Sequence, residues 1–272
     1  MDVDEAEREH EQERVAEEHA AIPANVVHKA VLKQGREELA RTSSALAWSG
    51  VAGGLSVSLS FLAEALLRSH VPDQPWAPLV TKLGYPVGFL VLVLGRQQLF
   101  TENTLTAVLP LLEDKSWATF AQVARLWAVV LVANLTGIHL AAWFYAATPV
   151  VEAPVRLAMH AIGTEVFGGD FLTVLVKGIV AGWLIALVVW LKAAVDHAEF
   201  AAIVVPTYLV GLGAFSHIVV GSVEVLFLVM RGSLPWFAYF SQFFVPALIG
   251  NCLGGVLLVA ALNHAQVVSG KE

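Results

Sequence analysis

The sequence predicts an all-α membrane protein of six spanning helices, built as an inverted three-plus-three repeat in which the second and fifth helices are broken. Three observations carry that expectation. Hydrophobic residues make up 57% of the 272 and charged residues only 14%, with a mean hydropathy of +0.69, whereas roughly a quarter of a soluble domain is charged. Six apolar segments each supply the ~20 residues that a spanning helix needs. Two of them, in corresponding positions of the two halves, carry polar residues at mid-span. Irregular backbone at that depth survives only where it is buried in protein or lines a water-filled cavity.

The chain begins with a charged tail. Residues 1–18 hold nine acids against Arg8 and Arg14, which is the whole net charge of -7. The remainder balances at fourteen acids and fourteen bases and offers no basic stripe, so nucleic acid is excluded as a partner. Residues 1–24 read as frayed or disordered. They lack the basic and apolar regions of a cleavable signal, so the first apolar helix is expected to direct its own insertion. Residues 25–41 place Val27, Val31 and Leu32 on one side and Lys29, Lys33 and Arg36 elsewhere. They read either as a helix lying on the membrane interface or as a solvated lead-in. The expected division is thus 1–42, acidic cytoplasmic tail and interfacial helix, and 43–272, the membrane domain.

The spans fall near 44–67, 83–112, 117–147, 171–194, 200–230 and 235–264. With the N-terminus inside, the cytoplasmic side collects Lys29, Lys33, Arg36, Arg41, Lys115, Lys192 and Lys271, against Arg68, Lys82, Arg156 and Arg231 on the other. That bias places both termini in the cytoplasm and the chain in a cell membrane.

The second span contains the polar island Arg96 to Thr104. The fifth contains Ser216, His217, Ser222 and Glu224, with Gly211, Gly213 and Gly221 permitting a break. The breaks are expected near 100–104 and 215–221. The third and sixth spans both read small-Asn-x-x-Gly, at Asn134 and Asn251, which lie 33 residues after Thr101 and 34 after His217. Gly50 and Gly54 in the first span match Gly178 and Gly182 in the fourth, one close-packing face in each half. Asn134 and Asn251 are expected to satisfy backbone groups freed by the breaks.

The stretch Leu99 to Thr104 resembles the loop that breaks the second helix in the formate/nitrite transporter family. Lys177 to Leu187 is similar to its fourth-helix signature, and Phe215-Ser216-His217 falls where the family carries a central histidine. The resemblance covers about 44–264. It implies a homopentamer of aquaporin-like protomers, each with its own pore for small monovalent anions or their conjugate acids. It also implies that Thr101 faces His217, that Leu99 belongs to one constriction, and that Tyr85 and Phe89 line an outer apolar one. The sequence departs from the family at Ser216, where an acid is usual, at Gly221, where an asparagine is usual, and at Ala181-Gly182, where cysteine-asparagine is usual. Arg96 and Glu102 add charge beside the broken helix.

The residues themselves allow two readings at each point. His217 is either a hydrogen-bond donor that shares a proton with a passing anion, or a structural histidine bonded to a backbone carbonyl. Thr101 either fixes the imidazole or caps the following half-helix. Arg96, Lys177 and Glu224 are ionisable groups in apolar runs and so are functional candidates by default. Arg96 is expected to pair with Glu102 or Glu224 and hold the breaks in register. Lys177 either attracts anions or extends to the interface.

The leading function is passive or proton-linked passage of a small monovalent anion such as formate, nitrite or hydrosulfide. The alternative is a channel for small neutral solutes, since Gly182 and Gly221 replace larger polar residues. An intramembrane enzyme is set aside because HExxH, GxSxG and paired intramembrane aspartates are missing. A lone cysteine, Cys252, rules out an intrachain disulfide and a cysteine-built metal site. His197 and Glu199 supply only two potential ligands. No cofactor is expected.

Overall fold

A computed structural model describes residues 22–269 apart from Asp196. The expectation for residues 1–21 lies outside the described residues. The chain runs through α1 (Ala24–Ala40), α2 (Ser43–His70), α3 (Ala77–Leu94), α4 (Asn103–Thr106), α5 (Val108–Glu113), α6 (Trp117–Ala147), α7 (Ala153–Phe167), α8 (Phe171–Ala193), α9 (Glu199–Leu212), α10 (Ile218–Met230) and α11 (Trp236–Ser269). Helices α2, α3, α6, α8 and α11 are long and apolar enough to cross a membrane. The fifth predicted span is instead two shorter apolar helices, α9 and α10.

Local chemistry sets the ends. Thr42, Ser116 and Asp170 each accept a hydrogen bond from the backbone N–H three residues on, capping α2, α6 and α8. Helix α1 buries Val27, Val31, Leu32 and Leu39 against α4, α5, α6 and α8. Neither sequence reading of this segment anticipated that its apolar face packs on protein. Gly35 makes the approach possible, since a Cβ there would collide with the Thr106 carbonyl.

Helix α2 packs along α6, and α8 along α11. At Gly54 a Cβ would run into the Asn134 carbonyl oxygen, and at Gly182 into that of Asn251. Both helix pairs therefore cross with backbones in contact, which only glycine permits.

The two breaks fold back on themselves. They span residues 95–102 and 213–217, overlapping the expected positions but beginning five and two residues before them. Each turns on a residue with positive φ, Arg96 at 51° and Ala214 at 47°. Gly221 is not part of the second break. It lies inside α10, where the Phe243 ring occupies the space a Cβ would need.

Each loop is clamped by one asparagine. Asn134 accepts from Phe100 N–H (2.9 Å) and donates to the carbonyls of Gly50 (2.8 Å) and Gln98 (2.9 Å). Asn251 accepts from Ile218 N–H (2.9 Å) and donates to Gly178 (2.9 Å) and Ser216 (2.8 Å). The two bond sets match one for one. They pair Phe100 with Ile218 and Gln98 with Ser216, so His217 corresponds to Leu99 and not to Thr101, as the sequence spacing had aligned them.

This clamp is testable. Asn251→Ala takes away the partner of the Ile218 N–H and of the Ser216 carbonyl, both buried at the break, at about 1–3 kcal/mol each. The variant should lose roughly 3 kcal/mol or more, read as a lower unfolding temperature in mild detergent. Unfolding at the wild-type temperature would refute the clamp.

Candidate functional site

The two folded-back loops meet in the middle of the molecule. Thr101 from the first and His217 from the second are both fully buried, with Thr101 Oγ1 2.8 Å from His217 Nε2. His217 is also the N-cap of α10, where its Nδ1 accepts the Val220 backbone N–H at 3.1 Å. That bond settles the direction of the other. A nitrogen that accepts a backbone N–H carries no proton, so the neutral ring bears its proton on Nε2 and donates it to Thr101 Oγ1. The threonine's own hydroxyl proton remains free to turn toward a ligand. A doubly protonated ring would set Nδ1–H against Val220 N–H, so charging His217 costs the cap of α10. The ring's structural bond is therefore to a backbone N–H, as a helix cap, and not to a backbone carbonyl as the sequence reading had it.

Two aromatic rings of α3 continue the line from His217. Phe89 packs edge-on against the imidazole with centroids 5.4 Å apart, and Tyr85 stacks on Phe89 at 5.7 Å. Both rings are buried. Their spacing of four puts them on one face of α3. Gly211 of α9 makes room for Tyr85, since a Cβ there would sit 2.8 Å from its ring.

Leu99 is fully buried within the first loop. Ser216 takes part through its carbonyl, which Asn251 holds. Lys177 is half-buried on α8.

The charged candidates do not behave as the sequence predicted. Arg96 is exposed and, among the described residues, forms an ion pair with neither Glu102 nor Glu224. The positive φ at Arg96 turns the chain outward, and its side chain joins Glu102, Gln98 and Lys192 around a cleft of about 400 Å³ beside α1. Glu224 lies at the other end of the site, buried on α10.

A second cleft, of about 680 Å³, opens at the opposite end and is lined by Arg68, Lys82 and Glu165 among others. Arg68 and Glu165 form a two-pronged pair at 2.6 and 2.8 Å. Lys82 is ion-paired with the buried Glu64 of α2. Sequence reasoning missed Glu64 and Lys82. The available signal was an acid inside an apolar span, the same that marked Glu224.

Known proteins share this architecture. Residues 25–265 match the family model described as formate/nitrite transporter. The chain is 38% identical over 253 residues to the inner membrane protein YfdC of Escherichia coli (strain K12), covering 93% of this chain and 82% of that protein. It is 26% identical to the formate channel BtFdhC of Bacillus thuringiensis, covering 83% of this chain and 88% of that one. A solved structure described as a pentameric formate channel with formate bound superposes with a TM-score of 0.70 at 18% identity, covering 83% of this chain and 98% of that one.

The assigned tautomer can be checked directly. Nitrogen-15 NMR of histidine-labelled protein, with the His217 signal assigned by its loss in His217→Asn, should show a neutral ring protonated at Nε2 around neutral pH. A ring protonated at Nδ1 would contradict the assignment. The matches in sequence and fold, together with five helices of spanning length, make the chain a multi-pass membrane protein that belongs to the formate/nitrite transporter family.

Proposed function

We propose that the protein conducts small monovalent anions or their conjugate weak acids, and that the Thr101–His217 pair is the narrow centre of the path. The observation that carries this reading is a buried pair of neutral hydrogen-bonding groups between two charged clefts. An isolated anion in a low-dielectric passage is very costly. The threonine hydroxyl can donate to an anion or accept from an acid. The N-terminus of α10, at His217, adds a favourable potential for negative charge. Tyr85 and Phe89 form an apolar stretch that favours the uncharged acid.

The reading extends to the whole molecule. By analogy with the pentameric relative, five protomers assemble, each with its own path, as six spans in an inverted repeat. Both termini face the cytoplasm, so the cleft beside α1 is the inner mouth and the cleft at Lys82 the outer one. The protein acts as a transporter and not as an enzyme. A second reading, passage of small neutral solutes, is favoured by the absence of formal charge on the central pair.

Flux measurements on proteoliposomes with formate, nitrite, acetate and glycerol separate the two. Wild-type protein should pass the first two at rates that rise as pH falls. His217→Phe removes both ring nitrogens and should lower that flux by roughly tenfold or more, given that one well-placed donor contributes about 10²–10³ in comparable polar sites. Thr101→Val should lose less. Glycerol flux that exceeds anion flux and is unchanged in His217→Asn would favour the neutral-solute reading.

A further inference from the structure

A group of buried charges stands outside the aromatic pair, behind the cleft at Lys82. Glu64 of α2 and Glu224 of α10 are 1% and 2% exposed. One carboxylate oxygen of Glu64 faces Lys82, while the other is buried with no hydrogen-bond partner. Glu224 makes no hydrogen bond or ion pair among the described residues. Helices α2 and α10 pack together here: the rings of Phe61 and Phe227, three residues from Glu64 and Glu224 respectively, meet edge-on with centroids 5.7 Å apart. Two buried carboxyls thus stand on packed helices, and among the described residues only one of them, Glu64, has an ammonium partner.

Their placement follows the line from His217. Glu224 is seven residues after His217, two turns along one face of α10 and about 10 Å away. Tyr85 stands one turn from Phe89 on α3, and its neighbour Gly84 packs directly on the backbone of Glu64. Ser60 of α2 donates to the Tyr85 carbonyl and accepts from Gly88 N–H, fixing α2 to α3 at this level. Lys82 reaches the open cleft. The order is therefore cleft, Lys82 with Glu64 and Glu224, Tyr85, Phe89, His217.

Among the described residues, no cation other than Lys82 forms an ion pair with either acid. The other groups facing the pair are Arg68 of α2, already bonded to Glu165 of α7, and exposed Asp73 at the rim. Tyr145 of α6 is bonded to Ser58, and Tyr239 of α11 to Ser222. Leaving aside the exposed Asp73, three acids, Glu64, Glu165 and Glu224, stand with two bases, Lys82 and Arg68. Fully ionised, this group carries one excess negative charge on a path proposed for anions, and like charges buried together resist ionising together.

We propose that Glu64 and Glu224 form a proton-binding site that hands a proton to the entering anion before it passes Tyr85 and Phe89. The inference rests on the weak-acid reading above. In the step, the carboxylic O–H of the pair breaks and its proton goes to an oxygen of the anion, which becomes the neutral acid. The carboxylate left behind has no second ammonium to balance it, because Lys82 already pairs with Glu64, and hydronium from the cleft returns a proton to it. The arrangement also explains why the neutral His217, tied to the cap of α10, need not supply that proton.

The test uses full-length protein in proteoliposomes, with formate as probe. Glu224→Gln keeps shape and removes the titrating group. Formate flux near neutral pH should drop by roughly tenfold or more, in line with loss of a positioned proton donor. It should recover toward wild type near pH 4, where formate is increasingly protonated in bulk. Glu224→Asp should restore the wild-type pH profile in part. Glu64→Gln is the second variant and should reproduce the loss. Wild-type flux and pH profile in both Gln variants would overturn the proposal.

Infrared difference spectroscopy on the same samples reads protonation without transport. A titrating carboxylic-acid carbonyl band should vanish in Glu224→Gln or Glu64→Gln. Its absence in folded wild-type protein would overturn the site even if formate passes. Its presence in a protein that passes no anion would instead remove the transport reading.

Discussion

The central constraint on this molecule is that backbone groups released by a broken helix have no water to bond in the interior of a membrane. Two asparagines meet it. Each places one amide oxygen on a loop N–H and its amide nitrogen on two carbonyls, one from the loop and one from a neighbouring helix. The bonds work only if three helices come within amide reach of each other, and that closeness explains the glycines of α2 and α8. A larger residue at Gly54 or Gly182 would push aside the very backbone that carries the asparagine.

The central site is a product of that clamp. By fixing Phe100 and Ile218, the asparagines fix the residues beside them, Thr101 and His217. The histidine then spends one nitrogen on capping α10 and keeps the other for the threonine. A single side chain links the stability of a half-helix to the chemistry of the path. The ring is correspondingly poor as a proton store, because charging it breaks a structural bond. The proton-handling groups are therefore sought one layer out, where a single lysine stands against two buried carboxyls.

Much of this was legible in the sequence because bilayer interiors punish polar residues. The islands at Arg96–Thr104 and around His217 marked the breaks, and the recurrence of small-Asn-x-x-Gly marked the clamps. Their register was not legible. The clamped N–H lies 34 residues before its asparagine in the first half and 33 before it in the second, so near-equal spacing aligned His217 with Thr101, whereas the hydrogen bonds align it with Leu99. The expected partners of Arg96 also failed, because nothing in the residue order reveals that the chain turns outward there with positive φ. The charge that pairs inside the protein is Lys82. It reads as a loop residue at the end of a span, and only the fold shows that it reaches back to Glu64 on the preceding helix.

The central claim is that Thr101 and His217 lie on the conduction path itself. Accessibility of Thr101 tests it most directly. In a Cys252→Ser background, Thr101→Cys would be treated with a small water-soluble thiol reagent in proteoliposomes while formate flux is followed. The account predicts modification that blocks flux and is slowed by excess formate. A cysteine that reacts fully while flux continues unchanged would place the path elsewhere and contradict it.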